Sequence, residues 1–392
     1  MRLNTVLKFH FISELLTREL KVLFFANLVG AFGDGLYAYV LPYYMQDTIK
    51  ASPVEVGILY AIANICVGVT LFAGGFLADR YDRKKILILN WAVWIPAPLI
   101  FAFAQHWTWM VPAMVLWGIL FSQPTTTAYI VTSANRNKLT LSFTAISSAW
   151  SLGYVFSPAL GGYLAQITGM QNVFIFASIF YAAAAVFLVF ISKQPSRPIQ
   201  DTPAQRHIVL ELLRDRKLLK FSFFLAITMF TILLFRPFIP TFLADVYGYR
   251  NFEIGVLGSF FFLGSAVLGL LLGRVGDKTE KSHAFAAALI LNAFSLLLLL
   301  LCGDFHILLA THVIIGTSYL AWPLMNAIIG SHAPEKSRAV WIATPQAISM
   351  LCAIFAPYVG GILYEMSPYY PFIFGLAITL FIALVAIARL HA

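Results

Sequence analysis

Apolar runs of about 20 residues recur from one end of this 392-residue chain to the other. A helix of about 20 residues crosses the hydrocarbon core of a bilayer, and a spanning segment must satisfy its own backbone hydrogen bonds. Barrel strands would be shorter and would alternate apolar with polar residues. The runs therefore predict twelve transmembrane helices, at about 22–46, 53–78, 85–105, 108–131, 141–166, 172–192, 220–245, 252–275, 284–303, 306–331, 339–365 and 369–390.

The charged residues are few and unevenly distributed. The chain is 60% hydrophobic and 11% charged, whereas soluble proteins carry about 25% charged residues. With both termini placed inside, Lys50 and Arg250 fall outside, Arg236 falls within a span, and the other 26 − 3 = 23 Lys and Arg residues fall on the cytoplasmic side. Such an excess is typical of cytoplasmic loops. The charge pattern predicts a multi-pass protein of the plasma (cell inner) membrane with cytoplasmic termini, in contact with membrane lipid and not with nucleic acid.

The two halves of the chain share three colinear matches. Residues 75–83 return at 273–281, an offset of 273 − 75 = 198, and residues 158–162 return at 357–361, an offset of 357 − 158 = 199. The third match, again 198 residues apart, pairs Leu41, Pro42 and Asp47 with Ile239, Pro240 and Asp245. Repeated matches at one offset indicate a duplication. A duplicated membrane chain is typical of transporters that work by alternating access.

A polar stretch separates the two halves. Residues 193–217 contain three prolines and charges of both signs, which favours a loop. We expect an N-terminal six-helix bundle at 1–192, a cytoplasmic linker at 193–219 and a C-terminal six-helix bundle at 220–392. The other loops are too short for a soluble catalytic or sensor domain, and no phosphate-binding Gly-rich loop occurs. Since the cysteines also lack paired spacing, we expect neither an enzyme nor a cofactor or metal site.

The loop between the second and third spans carries a motif. Residues 75–84 read Gly-Phe-Leu-Ala-Asp-Arg-Tyr-Asp-Arg-Lys. They resemble the motif Gly-x-Leu-Ala-Asp-Arg-x-Gly-Arg-Lys of the major facilitator superfamily, with Asp82 in place of the later glycine. The resemblance implies an all-α membrane protein with 12 transmembrane helices in two pseudo-twofold-related six-helix bundles around a central cavity. It also implies a cytoplasmic gate, which we assign to Gly75, Asp79, Arg80, Arg83 and, in the second copy, Asp277.

A second motif lies in the fifth span. Its small residues and proline are Gly153, Ser157, Pro158, Gly161 and Gly162, and its copy in span 11 contains Pro357, Gly360 and Gly361. It resembles a helix-packing motif of proton-coupled drug exporters in the same superfamily, with one glycine replaced by serine. The proline is expected to bend the helix and the small residues to pack closely against a neighbour, which we expect to be span 8. The arginine that such exporters carry in span 4 is replaced by Met114.

Two charged residues lie well inside the spans, Asp34 in span 1 and Arg236 in span 7. A charge at the membrane centre costs about 2.5–3.5 kcal/mol on insertion scales, so each should face a cavity or a partner. Since 236 − 198 = 38, Arg236 maps onto Ala38, which lies on the same face of its helix as Asp34. We expect Asp34 to bind a proton. We expect Arg236 either to modulate the pKa of Asp34 or to bind an anionic part of the substrate. The alternative is a static structural ion pair or a solvated cavity wall.

Polar and aromatic residues are frequent in the spans that line the cavity of this fold. Such residues suit an amphipathic organic molecule. The resemblance thus implies a monomeric secondary transporter with a small-molecule substrate, and export coupled to protons. The alternative is uptake or facilitated diffusion of a small organic anion. The further candidates for the cavity are Tyr37, Asn64, Gln123, Trp150, Tyr319, Trp322, Asn326 and Gln346.

Overall fold

The computed structural model describes residues 16–135, 138–194, 215–332 and 338–389, and the regular structure in those ranges is helical. In the first half the α-helices are α1 (Arg18–Ala38), α2 (Leu41–Asp47), α3 (Pro53–Arg80), α4 (Arg83–Trp94), α5 (Pro96–Phe103), α6 (Trp107–Trp117), α7 (Ser122–Ser133), α8 (Leu139–Thr168) and α9 (Met170–Leu188). In the second half they are α10 (Arg216–Phe235), α11 (Ile239–Tyr247), α12 (Asn251–Lys278), α13 (Lys281–Leu301), α14 (Phe305–Ile315), α15 (Ala321–His332), α16 (Arg338–Ala353), α17 (Ala356–Met366) and α18 (Tyr370–Arg389).

Ten helical segments of the described residues are long and apolar enough to cross a membrane, and each overlaps one predicted span. The predicted spans 108–131 and 141–166 are helical but are not among the ten. The first is interrupted between α6 and α7, and the second lies in α8, which is rich in serine and threonine. The all-helical membrane fold is confirmed, while the full count of twelve spans stays a prediction.

The helix bounds repeat along the chain. The starts of α1 and α10 lie 216 − 18 = 198 residues apart, those of α3 and α12 lie 251 − 53 = 198 apart, and those of α6 and α14 lie 305 − 107 = 198 apart. The starts of α8 and α16 differ by 338 − 139 = 199. Because these helices have different sequences but the same spacing, the duplication indicated by the motifs extends to the structure of both halves.

Proline interrupts the first span of each half at matching places. Pro42 lies in the first turn of α2, and Pro240 lies in the first turn of α11. Proline lacks a backbone N–H and clashes with the preceding turn, so a new helix starts there. In the second half a 3-10 turn, Arg236–Phe238, precedes the new helix. Arg236 therefore lies at a helix break, not within a regular helix.

The helices form two compact units. Unit 1 consists of residues 1–39 and 66–200, and unit 2 consists of residues 40–65 and 201–392. Within unit 2, α2 contacts α11 through a hydrogen bond from Gln46 Nε2 to Thr241 Oγ1 of 3.0 Å. The predicted bundle bounds, 1–192 and 220–392, stay a prediction. Residues 195–214 of the predicted linker lie outside the described residues, and α10 begins 220 − 216 = 4 residues before the predicted seventh span.

The small residues of the fifth span pack against the first span. A Cβ atom on Gly153 would lie 2.8 Å from the Cβ of Ala31, and one on Gly161 would overlap the carbonyl of Leu36. We expected span 8 as their neighbour, and this expectation was wrong. Gly264 of span 8 instead faces the backbone of Val313 in α14, where an added Cβ would lie 2.6 Å from the Cα. In each case the glycines bring backbones into van der Waals contact within one unit.

Candidate functional site

Asp34 lies in the interior of unit 1 and is 4% exposed. Its helix, α1, packs mainly against α8 and α9. Tyr154 of α8 donates a hydrogen bond to Oδ2 of Asp34, and Tyr181 of α9 donates one to Oδ1. Trp117, the last residue of α6, donates its indole N–H to Oδ1 at 2.9 Å. Three helices thus bring three neutral donors to one buried carboxylate.

Glycines beside Asp34 make room for these aromatic side chains. A Cβ on Gly33 would lie 2.5 Å from the Cβ of Phe180, and one on Gly35 would lie 3.2 Å from Cδ1 of Tyr154. A Cβ on Gly30 would overlap the ring of Trp91. The sequence of α1 around Asp34 therefore allows large side chains to approach the helix backbone and reach the carboxylate.

The donor set suits the ionised form of Asp34. An indole N–H can only donate a hydrogen bond, and a carboxylate can only accept. A buried charge is costly unless hydrogen bonds replace its hydration. Hydrogen bonds to ionised groups are about twice as strong as those between neutral groups. The three donors therefore explain how a carboxylate is accommodated inside a membrane-spanning unit.

An aromatic cluster surrounds the carboxylate. Trp150 stacks on Trp91, with 6.0 Å between ring centroids and 16° between planes. It also stacks on Tyr154, with 6.2 Å between centroids. The hydroxyls of Tyr37 and Tyr181 lie 2.9 Å apart and are buried. The structure thus places two of the predicted cavity residues, Tyr37 and Trp150, beside Asp34.

The second half lacks an equivalent of this polar site. With the offsets of the matching helices, Asp34 corresponds to position 34 + 198 = 232 and Trp117 to position 117 + 198 = 315, and both positions are isoleucine. Tyr154 corresponds to position 154 + 199 = 353, an alanine, and Tyr181 to position 181 + 200 = 381, a phenylalanine. Because the same helices form in unit 2 with apolar residues there, the fold does not require the polar site.

Arg236 belongs to unit 2 and is half-buried. Its guanidinium carbon lies 4.8 Å from the ring centroid of Tyr319. Tyr319 in turn packs edge-on against Phe261, with 5.4 Å between centroids. A cation over an aromatic face is attracted by the ring quadrupole. The structure therefore gives Arg236 an aromatic neighbour, and its role in binding an anionic group stays a prediction.

The remaining predicted cavity residues are spread over both units. Gln123 is exposed in unit 1. Four residues of unit 2 are half-buried, namely Asn64, Trp322, Asn326 and Gln346. Their role as cavity residues stays a prediction.

The predicted gate loop forms hydrogen bonds inside unit 1. Arg83 donates from Nη1 to the carbonyl of Ala128 at 3.1 Å, to Thr132 at 2.6 Å and to Gln194 at 3.1 Å. Arg80 is exposed and lies over the ring of Phe76, at 3.8 Å from the centroid. The side chain of Asp79 lies outside the described residues. Arg83 therefore joins α4, α7 and the chain after α9, and the gate function stays a prediction.

Sequence reasoning found Asp34 but missed its three donors. Trp117, Tyr154 and Tyr181 lie 83, 120 and 147 residues away from it. One signal was present, because Tyr154 follows Trp150 by four residues and shares its helix face. The other two donors carry no such signal, since aromatic residues occur on every face of a transmembrane helix.

Known proteins resemble this chain over nearly its full length. The model of the Major Facilitator Superfamily matches residues 23–250 and 221–391. Multidrug resistance protein 2 of Bacillus subtilis (strain 168) is 25% identical over 365 residues, which are 90% of this chain and 90% of that protein. The multi-drug resistance efflux pump PmrA homolog of Lactococcus lactis subsp. lactis (strain IL1403) is 25% identical over 359 residues, which are 86% of this chain and 87% of that protein.

Solved structures share the fold at lower identity. A POT family transporter superposes with a TM-score of 0.76 at 15% identity, over 95% of this chain and 96% of that chain. The nucleoside transporter NupG superposes with a TM-score of 0.74 at 12% identity, over 96% of this chain and 98% of that chain. The resemblance found in the loop motif is thereby confirmed. The protein is an integral membrane transporter of small molecules and not an enzyme, and it belongs to the Major Facilitator Superfamily.

Proposed function

We propose that this protein is a secondary active transporter that exports amphipathic organic compounds in exchange for protons, by alternating access. Two relatives that match about nine-tenths of the chain are named as multidrug resistance proteins or efflux pumps. The protein acts as a monomer in the lipid of the cell inner membrane. The excess of Lys and Arg in one set of loops supports cytoplasmic termini.

The observation that carries the proposal is the buried carboxylate of Asp34. A titratable group inside a membrane unit is costly and is typical of proton or substrate pathways. Proton binding neutralises the only acidic side chain in α1 beyond its first turn. The proton then changes the balance between two conformations if they hold the carboxylate differently. Protonation of Asp34 and substrate binding would be coupled in this way.

The absence of an arginine from span 4 is consistent with proton binding at Asp34. Met114 at that position is buried, but Trp117, three residues further along the same helix, donates to Asp34. A neutral donor stabilises the carboxylate without a second charge. Proton release and uptake at Asp34 thus need no cationic partner from α6.

The substrate is expected to contact aromatic side chains. Trp150 is half-buried and stacks on both Trp91 and Tyr154. Trp and Tyr side chains offer a large apolar surface together with one polar group, an indole N–H or a hydroxyl. This environment supports amphipathic organic compounds as the substrate class.

Transport by purified protein in liposomes tests the proposal. An imposed proton gradient should drive uptake of a fluorescent amphipathic dye into inside-out proteoliposomes. Asp34→Asn keeps the shape of the side chain but cannot exchange a proton. We therefore expect the rate of gradient-driven dye uptake to fall at least tenfold, which corresponds to about 1.4 kcal/mol. Asp304→Asn is the matched control, because Asp304 is exposed and caps α14, where asparagine caps equally well.

Proton-driven dye uptake at the wild-type rate by Asp34→Asn would contradict the proposal. Loss of uptake in Asp304→Asn would show that the assay reports folding and not proton coupling.

A second function is uptake or facilitated diffusion of a small organic anion. The observation that favours it is Arg236, a half-buried guanidinium at a helix break over Tyr319. If this function is correct, Arg236→Gln should abolish organic-acid flux, and Asp34→Asn should leave it intact. Flux of radiolabelled organic acids in proteoliposomes distinguishes the two functions.

A further inference from the structure

Residues 40–65 belong to the first half of the chain but pack with the second half. They comprise the end of the first span, the loop after it and the start of the second span, and they fall in unit 2 together with residues 201–392. In this segment α2 contacts α11, and Gln46 donates from Nε2 to Thr241 at 3.0 Å. The two halves of the chain are therefore in direct contact inside one compact unit.

A second contact joins two segments of the same pattern, Pro-x-x-x-Gly. One is residues 53–57 at the start of α3, and the other is residues 357–361 in α17. A Cβ atom on Gly57 would overlap the carbonyl oxygen of Pro357, and one on Gly361 would overlap the carbonyl oxygen of Pro53. Each glycine thus lies on the proline of the other segment, and the two segments run antiparallel.

This contact is made by backbone atoms. A Cβ on Gly57 would lie 2.9 Å from the Cα of Tyr358, and one on Gly361 would lie 2.8 Å from the Cα of Val54. Small residues allow two helices to approach until their backbones touch. A flexible side chain can turn aside for an added methyl group, but a backbone atom moves only with its helix. Any other residue at either glycine would therefore hold α3 and α17 apart.

Local hydrogen bonds fix the start of α3. The N–H of Ser52 donates to Oε2 of Glu55 at 2.7 Å, and the N–H of Glu55 donates to Oγ of Ser52 at 3.2 Å. This reciprocal pair is a capping box. The N–H of Ala51 donates to the carbonyl of Met45 at 2.9 Å and ties the loop back to α2. Because α2 and the start of α3 form one hydrogen-bonded piece, we expect their contacts with the second half to form and break together.

The contacts lie near the predicted outer ends of the spans. Gln46 ends the predicted first span and Pro53 begins the second, on either side of a loop that is predicted to lie outside. Thr241 lies 245 − 241 = 4 residues before the predicted end of span 7, and Gly361 lies 365 − 361 = 4 residues before that of span 11. Alternating access opens a central site to one side of the membrane at a time. A state that is open to the outside thus requires these contacts to separate.

We propose that residues 40–65 are the outer gate of the transporter, and that Gly57 and Gly361 determine how closely it shuts. The inference rests on the proposed alternating access and adds the part of the chain that moves on the outer side. The structure described here has this gate shut. A methyl group at either glycine keeps the two backbones apart, so the shut state loses population relative to the open state.

Labelling of a buried cysteine measures the opening of the gate. In a variant whose three native cysteines are replaced by serine, Thr241→Cys introduces a thiol at a position that is 1% exposed and that accepts the hydrogen bond from Gln46. A membrane-impermeant maleimide should label it slowly in intact cells. We expect Gly57→Ala and Gly361→Ala each to raise the labelling rate at least about fivefold, since overpacking against backbone shifts the equilibrium.

Two glycines provide matched controls. Gly68 lies further along α3, and a Cβ there meets nothing within 4 Å, so Gly68→Ala should be labelled at the parent rate. A Cβ on Gly360 would overlap the carbonyl of Leu234, which belongs to the same half of the chain. Gly360→Ala should therefore lower the melting temperature in detergent without faster labelling.

Labelling of Gly57→Ala and Gly361→Ala at the rate of Gly68→Ala overturns the proposal. An equal rise in Gly360→Ala also overturns it, because labelling would then follow any loss of packing. The measurement needs neither substrate nor a proton gradient, so it is independent of Asp34. Unchanged labelling, together with loss of dye uptake in Asp34→Asn, overturns the gate and leaves the proposed function standing.

A crosslink decides the matter if the glycine variants do not fold. In the same cysteine-free background, Gln46→Cys and Thr241→Cys place two thiols where the side chains now share a hydrogen bond. A short crosslinker that a reductant cleaves should stop dye transport, and reduction should restore it, while the parent is unaffected by the reagent. Transport that continues at the full rate in the crosslinked protein overturns the proposal.

Discussion

At the scale of single residues, glycines, which have no side chain, determine how closely the helices of each unit approach one another. A Cβ on Gly161 would overlap the carbonyl of Leu36 in α1, and one on Gly360 would overlap the carbonyl of Leu234 in α10. The two glycines are 360 − 161 = 199 residues apart and the two leucines 234 − 36 = 198. The same contact is thus made twice, once in each unit.

Gly161→Ala should destabilise the protein by about 1–3 kcal/mol, because backbone atoms cannot move aside for an added methyl group. Gly68→Ala is the control, since an added Cβ there meets nothing within 4 Å. That substitution should be neutral or slightly stabilising, because alanine favours helix over glycine. Thermal unfolding of the purified variants in detergent measures both. Equal melting temperatures would show that the close approach of α1 and α8 does not depend on Gly161.

At the scale of elements, the start of α4 explains the departure from the superfamily motif. Asp82, which stands where the motif has glycine, caps α4 by accepting from the N–H of Lys84 at 3.1 Å. It also accepts from the N–H of Gln194 at 3.0 Å. Gln194 is held further by a bond from its Nε2 to Ser133 of 2.7 Å. The aspartate thus joins the start of α4 to the chain that leaves α9.

Asp82→Ala should cost about 0.5–2 kcal/mol of stability, because a helix cap is lost. Asp82→Asn should cost much less, because asparagine keeps the acceptor oxygen and caps a helix nearly as well. Melting temperatures of the two variants in the same detergent give the comparison. If both variants unfold like the wild type, the two hydrogen bonds of Asp82 contribute nothing to stability.

At the scale of the whole molecule, one duplicated scaffold carries different buried polar groups in its two units. The helix starts match at offsets of 198 to 200 residues, yet the positions of the second half that correspond to Asp34 and its three donors are apolar. Unit 2 has the cation Arg236 at the helix break that corresponds to Ala38. Duplication explains the common fold, and later divergence at a few buried positions explains the difference in chemistry.

The charge asymmetry predicts the orientation of the whole chain. In a variant with Cys66, Cys302 and Cys352 replaced by serine, a cysteine introduced as Lys50→Cys should react with a membrane-impermeant maleimide in intact cells. A cysteine introduced as Lys193→Cys should react only after the membrane is permeabilised. The reason is that positively charged loops are retained on the cytoplasmic side. Labelling of position 193 in intact cells would reverse the proposed topology.

The sequence by itself determined the helical membrane fold, the duplication and the family. Long apolar runs permit only helices in a bilayer, since each backbone group must be paired internally. It also identified Asp34, because a carboxylate in an apolar run is conspicuous without any knowledge of its neighbours. The break at Arg236 was not predicted, although Pro237 and Pro240 stand beside it in the sequence.

Only the tertiary structure decided which side chains meet Asp34 and which helix the glycines of the fifth span contact. Trp117, Tyr154 and Tyr181 come from three other helices, up to 147 residues away. In a soluble helix the polar face marks the outside, but a membrane helix is apolar toward lipid and toward its neighbours alike. The pattern of apolar residues therefore leaves the rotation of each helix open, and packing against the neighbouring helices decides it.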